Sequence, residues 1–459
     1  MISQATLFWL TTSAFPIVGA LTFIVGSRKP RPAGIDDFSN PRAKPFETRQ
    51  AAVRSQISAR VGWLLLAFVC LLDLLPAAGT LLSGKTLYLG QVNGLPPLGA
   101  WPWQLDSLGS LFLILLGLTG FWVCLYSAGR VSSGQIGTGP SAVAMVGLQF
   151  FFTNALLTAQ NAFPLLIAWE GMSLAAFAYI LVDHTRRQVR RAAYMTVVIS
   201  ELGFLALVIA LLLPSHSLMA LDFPGLRQAL RDSGPGIRLA FFWLTFLRFG
   251  VKSGILPVQL WLPTAYTVTP ANLGALLAGG LVNLGLFGIL RVYFSLLGGL
   301  NDGSAFLLVL LGALAGFFGT FYAAVVRDLR RILGYSSIEN IGFMVVSFGL
   351  AILYFNHAEP AYAGLALVAL FLQMISHTLA KSLAFLGSGE IQTLTGAGSR
   401  PRLYGLSPPL PLSLHRAPAG AFFPNRCRQT FPAGPLEQGQ PLGFDWDKRS
   451  GRLFPHCHS

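Results

Sequence analysis

The chain has 459 residues, of which 53% are hydrophobic and 11% are charged, and its mean hydropathy is +0.61. Soluble domains carry charge on about a quarter of their residues, so this composition excludes a soluble multidomain protein. The net charge of +14 is divided among short segments between apolar runs instead of forming one basic patch, which favours a membrane protein over a nucleic-acid-binding one.

Apolar runs of about 20 residues, long enough to cross a bilayer, recur along the first 390 positions. They predict an all-α polytopic transmembrane bundle with eleven spans, near 5–25, 61–82, 107–127, 141–159, 161–182, 194–214, 239–263, 271–294, 303–325, 337–356 and 361–388. Segment 215–237 alternates apolar and charged residues between helix breakers, which predicts a short helix lying in the membrane interface.

The basic residues are shared unequally between the two sets of connecting segments. With the N-terminus outside, the inward segments hold sixteen Lys or Arg: Arg28, Lys29, Arg31, Arg42, Lys44, Arg49, Arg54, Arg60, Arg130, Arg186, Arg187, Arg190, Arg191, Arg327, Arg330 and Arg331. The outward segments hold four: Lys85, Arg227, Arg231 and Arg238. This asymmetry follows the positive-inside rule, so it predicts an N-terminus outside and a cytoplasmic tail.

The amino-acid composition changes near residue 391. After this point Pro, Gly and Arg are frequent, and no apolar run is long enough to span a membrane. Residues 391–459 are therefore predicted to form a non-membrane tail, either disordered or translated out of frame. Residues 455–458, just before the terminal Ser459, are Pro-His-Cys-His, but three potential ligands near a terminus are weak evidence of a metal site, and no metal is predicted.

Ionisable residues inside the apolar runs are the strongest functional signal, because a charge at the bilayer centre costs about 2.5–3.5 kcal/mol on insertion scales. Glu170 and Lys252 lie in the middle of predicted spans, and His377 and Lys381 lie one turn apart in another. Further charged residues lie nearer the ends of spans or at less certain depths: Asp73, Glu201, Arg248, Arg291 and Glu339.

A carboxylate and an amine in neighbouring helices suit proton transfer, because close contact keeps the lysine charged whereas separation in a dry site releases its proton. We therefore expect alternating contact between Glu170 and Lys252, with His377 and Lys381 passing the proton further. The structural alternatives are a static buried ion pair for Glu170 and Lys252, and a hydrogen-bonded interhelical histidine for His377.

Pro257 and Pro263 follow Lys252 closely and predict a break in its helix, which is a feature of ion sites in transporters, although a simple proline kink is the alternative. No cofactor is predicted in this chain. Only one histidine lies at membrane depth, and there is no ATP-binding loop, cysteine cluster or dinucleotide motif.

Four runs, WEGMSLAAF (169–177), VKSGILPVQLWLPTAY (251–266), RDLRRILGYSSIENIGFM (327–344) and SHTLAKSLAFLGSGEI (376–391), resemble one family in the same order. It is the family of antiporter-like membrane subunits found in NADH–quinone oxidoreductase, Mrp cation/proton antiporters and membrane hydrogenases. Within this family, the run Ser-Ser-Ile-Glu-Asn makes the chain most similar to component B of hydrogenase-4 and the formate hydrogenlyase membrane subunit.

The resemblance implies that Glu170, Lys252, His377 and Lys381 form a proton relay, with Glu201, Asn283 and Glu339 as additional members. Asn283 stands where many relatives carry lysine or histidine. The implied organisation is three N-terminal helices with a basic loop (1–140, loop 26–60), a five-helix repeat (141–295), a partial inverted repeat (296–390) and the tail. Relatives continue with further spans where this chain has the tail, which is why a shifted reading frame is considered.

The resemblance also implies a function. The chain is expected to be a proton-translocating subunit of a hydrogenase-4 or NADH–quinone oxidoreductase type complex in a bacterial or archaeal-type cytoplasmic membrane. It would have no redox centre of its own, and iron–sulfur, nickel–iron or flavin centres would belong to partner subunits. Its partners would be lipid, the other subunits, and protons or Na⁺, but no nucleic acid. The alternatives are a Mrp-type antiporter subunit and a truncated, non-conducting scaffold.

Overall fold

The computed structural model describes residues 3–27, 43–93, 99–214, 221–395 and two strands at 444–447 and 452–455. The first helices are α1 Gln4–Gly26, α2 Ala43–Ser83, α3 Ser107–Arg130, α4 Pro140–Thr158, α5 Ala162–Ile180, α6 Arg187–Leu212 and α7 Phe223–Asp232. The later ones are α8 Pro235–Ser253, α9 Trp261–Val268, α10 Ala271–Leu276, α11 Val282–Arg291, α12 Asp302–Val325, α13 Leu329–Asn356 and α14 Pro360–Thr395. The chain is a helical, multi-pass membrane protein.

Ten helical segments of the described residues are long and apolar enough to cross a membrane, and they coincide with ten of the eleven predicted spans. The eleventh, 239–263, is not one continuous helix. It consists of α8, which ends at Ser253, and the short α9, which begins at Trp261. Gly254 ends α8 because its φ of 71° is a left-handed conformation that favours glycine.

Two connecting segments differ from the sequence-based description. Helix α2 begins at Ala43, so the predicted basic loop 26–60 is helical over its second half, and α6 begins at Arg187 inside the predicted loop 183–193. These stretches are polar but contain no Gly, and helices continue through such sequences beyond the apolar core. The predicted interface helix of segment 215–237 corresponds to α7, while residues 215–220 lie outside the described part of the chain.

A β-hairpin between α2 and α3 was not predicted, so an all-α description is incomplete. Strands β1 (Leu87–Asn93) and β2 (Ala100–Leu105) pair antiparallel, with an irregularity in the register beside Gly90. The hairpin is tied to the bundle because the Trp9 indole donates to the Leu89 carbonyl over 2.7 Å. We call this side of the bundle, where α1 begins and α2 ends, the hairpin end.

Residues 406–459 form a separate unit, in which the described strands β3 (Phe444–Asp447) and β4 (Arg452–Pro455) pair antiparallel. The first five residues of the predicted tail, 391–395, belong to α14 instead. Apart from these residues and the two strands, the predicted tail lies outside the described part of the chain, and this includes His456, Cys457 and His458.

The segment Ala271–Leu297 is the centre of the bundle, since its most apolar window is completely buried. It consists of α10 and α11, joined by a π-helical turn at Leu277–Leu281 and followed by another at Val292–Leu297. Close packing against α8 depends on Gly285, where a Cβ atom would lie 2.3 Å from the Phe249 carbonyl oxygen. Such small residues let membrane helices approach closely, and here they bring polar groups of three helices together.

Candidate functional site

Lys252 lies in the last turn of α8, directly before the break, and its side chain is 8% exposed. The break itself is held in place, because the Trp261 indole donates to the Val251 carbonyl over 2.7 Å. Pro257 lies within the connecting segment and Pro263 in the first turn of α9. A cation in the last turn of a helix is favoured by the partial negative charge of the free carbonyls.

Glu170 does not contact Lys252 as an ion pair; its partner is Arg248, one turn earlier on α8. The Arg248 side chain is fully buried, and its guanidinium donates to the Glu170 carboxylate, to the Ser200 carbonyl and, over 3.0 Å, to the Ser200 hydroxyl. The guanidinium also lies over the Trp169 ring, 5.4 Å from its centroid. The expected alternating contact between Glu170 and Lys252 stays a prediction. In this structure the carboxylate pairs with Arg248, whose forked guanidinium suits a carboxylate.

Lys252 instead lines a small cavity of about 30 Å³, enough for one or two water molecules. The polar side chains around it come from three helices: Ser173 of α5, Thr196, Ser200 and Glu201 of α6, and Lys252 itself. Glu201 is exposed at the edge of the bundle and shares this cavity with Lys252. Most of the cavity lining is apolar, so Lys252 borders a small apolar space that contains a few polar side chains.

A second group of polar residues lies between α13 and α14. The Lys381 amine donates to the Ser336 hydroxyl over 2.7 Å, and Glu339 lies on the next turn of α13. His377 is 2% exposed, and neither of its ring nitrogens has a hydrogen-bond partner among the described residues. The hydrogen-bonded histidine considered as the alternative is therefore not what the described residues show.

Helix α11 lies between these two groups and contacts both of them. The Ser253 hydroxyl donates to the Val282 carbonyl over 3.0 Å, and the next residue, Asn283, donates to the Thr378 hydroxyl over 2.7 Å. Asn283 also donates to the Gly279 carbonyl, within the π-helical turn, over 3.0 Å. Turns of this kind occur often at functional sites because they reposition side chains within a helix.

We call the whole set the polar axis: Glu170, Ser200, Glu201, Arg248, Lys252, Ser253, Asn283, Ser336, Glu339, His377, Thr378 and Lys381. The structure brings Glu170, Glu201 and Lys252 together around α8, and Glu339, His377 and Lys381 together around α14. The sequence analysis named Arg248 only among the further charged residues and did not include Ser200, Ser253, Ser336 or Thr378. The spacing of Arg248 and Lys252, four residues apart on one helix, was the available signal for the role of Arg248.

Comparison with known proteins identifies the family of this chain. The family model described as NADH:quinone oxidoreductase/Mrp antiporter, TM, matches residues 159–412, which is more than half of the chain. Hydrogenase-4 component B of Escherichia coli is 30% identical over 63% of this chain and 43% of its own length. An uncharacterised protein of Mycobacterium tuberculosis is 34% identical over 70% of this chain and 49% of its own length.

Among solved structures, an archaeal membrane-bound sulfane sulfur reductase complex contains a chain with the same fold, at a TM-score of 0.68. The likeness covers 90% of this chain and 77% of that one, at 17% identity. The chain spans about half the length of the curated relatives it matches. By its family match and its fold, the chain belongs to the NADH:quinone oxidoreductase/Mrp antiporter transmembrane family.

Proposed function

We propose that this chain is a proton-translocating subunit of a membrane redox complex of the hydrogenase-4 or NADH–quinone oxidoreductase type. Redox energy from other subunits would drive the proton movement, and this chain would supply the path. One observation carries the proposal. Polar and charged side chains, which are buried or partly buried except for the exposed Glu201, occur on α5, α6, α8, α11, α13 and α14. A membrane scaffold has no need of these groups, since each is costly in an apolar bundle.

The first step of the path uses two positions of Glu170. When its carboxylate pairs with Arg248, as in this structure, Lys252 has no ion-pair partner among the described residues and can release its proton into the cavity. When the carboxylate turns toward Lys252, the protonated amine is stabilised. Arg248 and Lys252 lie one helical turn apart, so a change of side-chain conformation at Glu170 would switch between the two states.

The second step uses the polar groups of α11 and α14. Asn283 and Thr378 have side chains that both donate and accept hydrogen bonds, so with a water molecule they can orient a proton transfer toward α14. There Lys381 and His377 would receive the proton, with Ser336 holding the lysine amine in position and Glu339 nearby. In this proposal Asn283 conducts through its hydrogen bonds and does not itself carry the proton.

The membrane orientation is part of the proposal. An N-terminus outside would place the basic ends of α2, α6 and α13 at the cytoplasmic face, in agreement with the positive-inside rule. The hairpin end would then face outward, and the break after Lys252 would lie on the cytoplasmic side of the bilayer centre. The partners would be lipid and the other subunits of a cytoplasmic-membrane complex, with iron–sulfur, nickel–iron or flavin centres held by those subunits.

A second candidate function is supported by the family description, which includes Mrp antiporters. In that case the chain would assemble with cation/proton antiporter subunits, and Na⁺ would be exchanged for protons without any electron transfer. The carboxylates of the polar axis do not by themselves distinguish the two ions.

Affinity purification of the tagged chain from native membranes, followed by mass spectrometry, tests the assignment. Co-purification of subunits that hold iron–sulfur centres, with proton uptake driven by their electron transfer in liposomes, is the expected result. Co-purification of small antiporter subunits, with Na⁺-driven proton movement, would favour the second candidate. Assembly without any ion movement would indicate a non-conducting scaffold and contradict the proposal.

A further inference from the structure

A buried carboxyl group lies outside the polar axis, where the first, second and fourth helices meet. Asp73 of α2 is 2% exposed. Its carboxylate accepts a hydrogen bond from the Thr11 hydroxyl of α1 over 2.8 Å and another from the Asn154 amide of α4 over 2.7 Å. The group lies ten residues before the end of α2, which is about 15 Å along the helix, so it is well inside the bundle.

No cation lies within ion-pair distance of Asp73 in the part of the chain that the structure describes. The side chains that face it from α1 and α4 are the neutral Thr11, Thr12 and Asn154. The titratable groups near it are the buried thiols of Cys70, on the preceding turn of α2, and of Cys124 on α3. A carboxylate without a cation is unfavourable in an apolar bundle, whereas a protonated carboxyl group is not.

Other carboxylates of the bundle are compensated differently. Glu170 pairs with Arg248, and Asp106 pairs with Arg291, so both keep a charge partner in the folded protein. Asp73 has only neutral donors, and these suit a group that changes its charge. A fixed structural carboxylate at this depth would need a cation to balance it.

Asn154 offers a partner for both protonation states of Asp73. Its side chain is fully buried, and its Nδ2 donates to Asp73 and, over 3.2 Å, to the Thr12 hydroxyl. Its Oδ1 atom has no partner among the described residues. Half a turn of the amide group exchanges these two atoms, so the oxygen can accept the O–H of a protonated Asp73 where the nitrogen now serves the carboxylate.

A polar route leads from Asp73 toward the hairpin end. Thr80 lies two helical turns further along α2, on the same side as Asp73, and its buried hydroxyl has no partner among the described residues. Beside it the Gln4 amide packs against Gly79, close to the start of α1. A proton that reaches the end of α2 therefore has hydroxyl and amide groups along its way to the carboxylate.

We propose that Asp73 is a second proton-binding site, separate from the polar axis, which exchanges its proton with the hairpin end of the bundle. The reaction is the reversible transfer of a proton from hydronium to one carboxylate oxygen, which leaves a water molecule. The charged form is held by Thr11 and the Asn154 nitrogen, and the neutral form donates to the Asn154 oxygen. The site needs no other subunit in order to bind its proton.

Infrared difference spectroscopy of the full chain in lipid nanodiscs, titrated with acid in KCl, tests the proposal. A protonated-carboxyl band that grows on acidification is expected in the wild-type protein. Its Asp73 component should be lost in Asp73→Asn and kept in the matched control Glu170→Gln. In Asn154→Leu, the band should persist at a higher frequency, because the carboxyl group loses its hydrogen-bond partner. This second variant retains Asp73, so it keeps the test valid if Asp73→Asn does not fold.

Two results would overturn the proposal. One is that the spectra of Asp73→Asn and Asn154→Leu equal those of the wild type from acidic to alkaline pH. Asp73 would then stay in a single protonation state over this range. The other is loss of the Asp73 band when NaCl replaces KCl at constant pH, which would make the position a sodium site.

Discussion

Arg248 donates to the carboxylate of Glu170 from the helix that also carries Lys252, so the half-buried acid of the fifth helix lies near two basic residues that are one turn apart. The ion pair is enclosed, because the guanidinium is fully buried against Trp169 and Ser200. A buried charge costs several kcal/mol when its partner is removed, so loss of either member of this pair is expected to destabilise the site.

Removal of the guanidinium should destabilise the bundle. Arg248→Gln leaves Glu170 without its ion-pair partner, and we expect a loss of about 3 kcal/mol in the free energy of unfolding, measured in detergent. Arg231→Gln on α7, where the side chain is exposed, is the control and should change little. The double variant Glu170→Gln/Arg248→Gln should recover part of the loss; strictly additive effects would contradict a direct pair.

The Lys381–Ser336 hydrogen bond has a matched control on the next residue. Ser336→Ala removes the hydroxyl that accepts from the lysine amine, whereas Ser337→Ala removes a hydroxyl that donates to the Leu333 carbonyl of its own helix. Proton movement in the assembled complex should fall roughly tenfold in Ser336→Ala, because the amine is no longer positioned. Similar rates in the two variants would remove Ser336 from the path.

Gly285 allows α11 to pack directly against α8. An added Cβ would lie 2.3 Å from the Phe249 carbonyl oxygen and 2.8 Å from the Ser253 backbone nitrogen, so Gly285→Ala must push the helices apart. We expect a destabilisation of about 1–3 kcal/mol and a marked loss of proton movement. Gly364→Ala on α14 is the control, because nothing lies near its Cβ position. Equal thermal stability of both variants would contradict the close packing.

The Asp106–Arg291 pair gives the hairpin end a pH-dependent contribution to stability. Burial opposes the charge of Asp106, but the hydrogen bonds and the charge of Arg291 outweigh burial and hold the pKa of this carboxyl below its ordinary value. A lowered pKa in the folded state means that the pair stabilises fully above the unfolded value, near pH 4, and loses this effect as the pH falls through the folded value.

Asp106→Asn should therefore reduce the free energy of unfolding at neutral pH by about 2 kcal/mol, because it leaves Arg291 buried without its carboxylate. The difference between variant and wild type should shrink as the medium is acidified toward and below pH 4. Asp232→Asn, in which an exposed carboxylate is changed, should show little difference at any pH. A deficit that stays constant down to strongly acidic pH would contradict the depressed pKa.

Much of this architecture follows from hydropathy. The length and spacing of the apolar runs indicated ten of the spans, and Gly and Pro after Lys252 indicated the break between α8 and α9. The β1–β2 hairpin was missed because its strands are short and were treated as a loop between spans. The π-helical turn at Leu277–Leu281 has no residue pattern that distinguishes it from an α-helix.

The sequence predicts which residues lie in the site, but it does not predict which of them contact one another. A charged residue within a long apolar run is expected to lie at membrane depth, so the sequence placed Glu170, Lys252 and Lys381 inside the helical bundle. Which groups touch depends on helix rotation and on side-chain length, and these favoured Arg248 over Lys252 as the partner of Glu170. The role of this set as a proton relay stays a prediction.

Lys252 is proposed to gain and lose a proton, and its replacement by arginine, which conserves the charge, tests this role directly. In Lys252→Arg the charge remains but the side chain no longer releases a proton. Lys252→Ala is the companion variant, expected to impair proton movement more than folding, and Lys85→Arg, at an exposed position, is the control.

The measurement is proton uptake, followed by dye quenching in vesicles that contain the assembled complex, with electron transfer recorded in the same sample. We expect Lys252→Arg to assemble normally but to move protons at least about tenfold more slowly per electron transferred. Proton uptake equal to that of the wild type in assembled Lys252→Arg would contradict it.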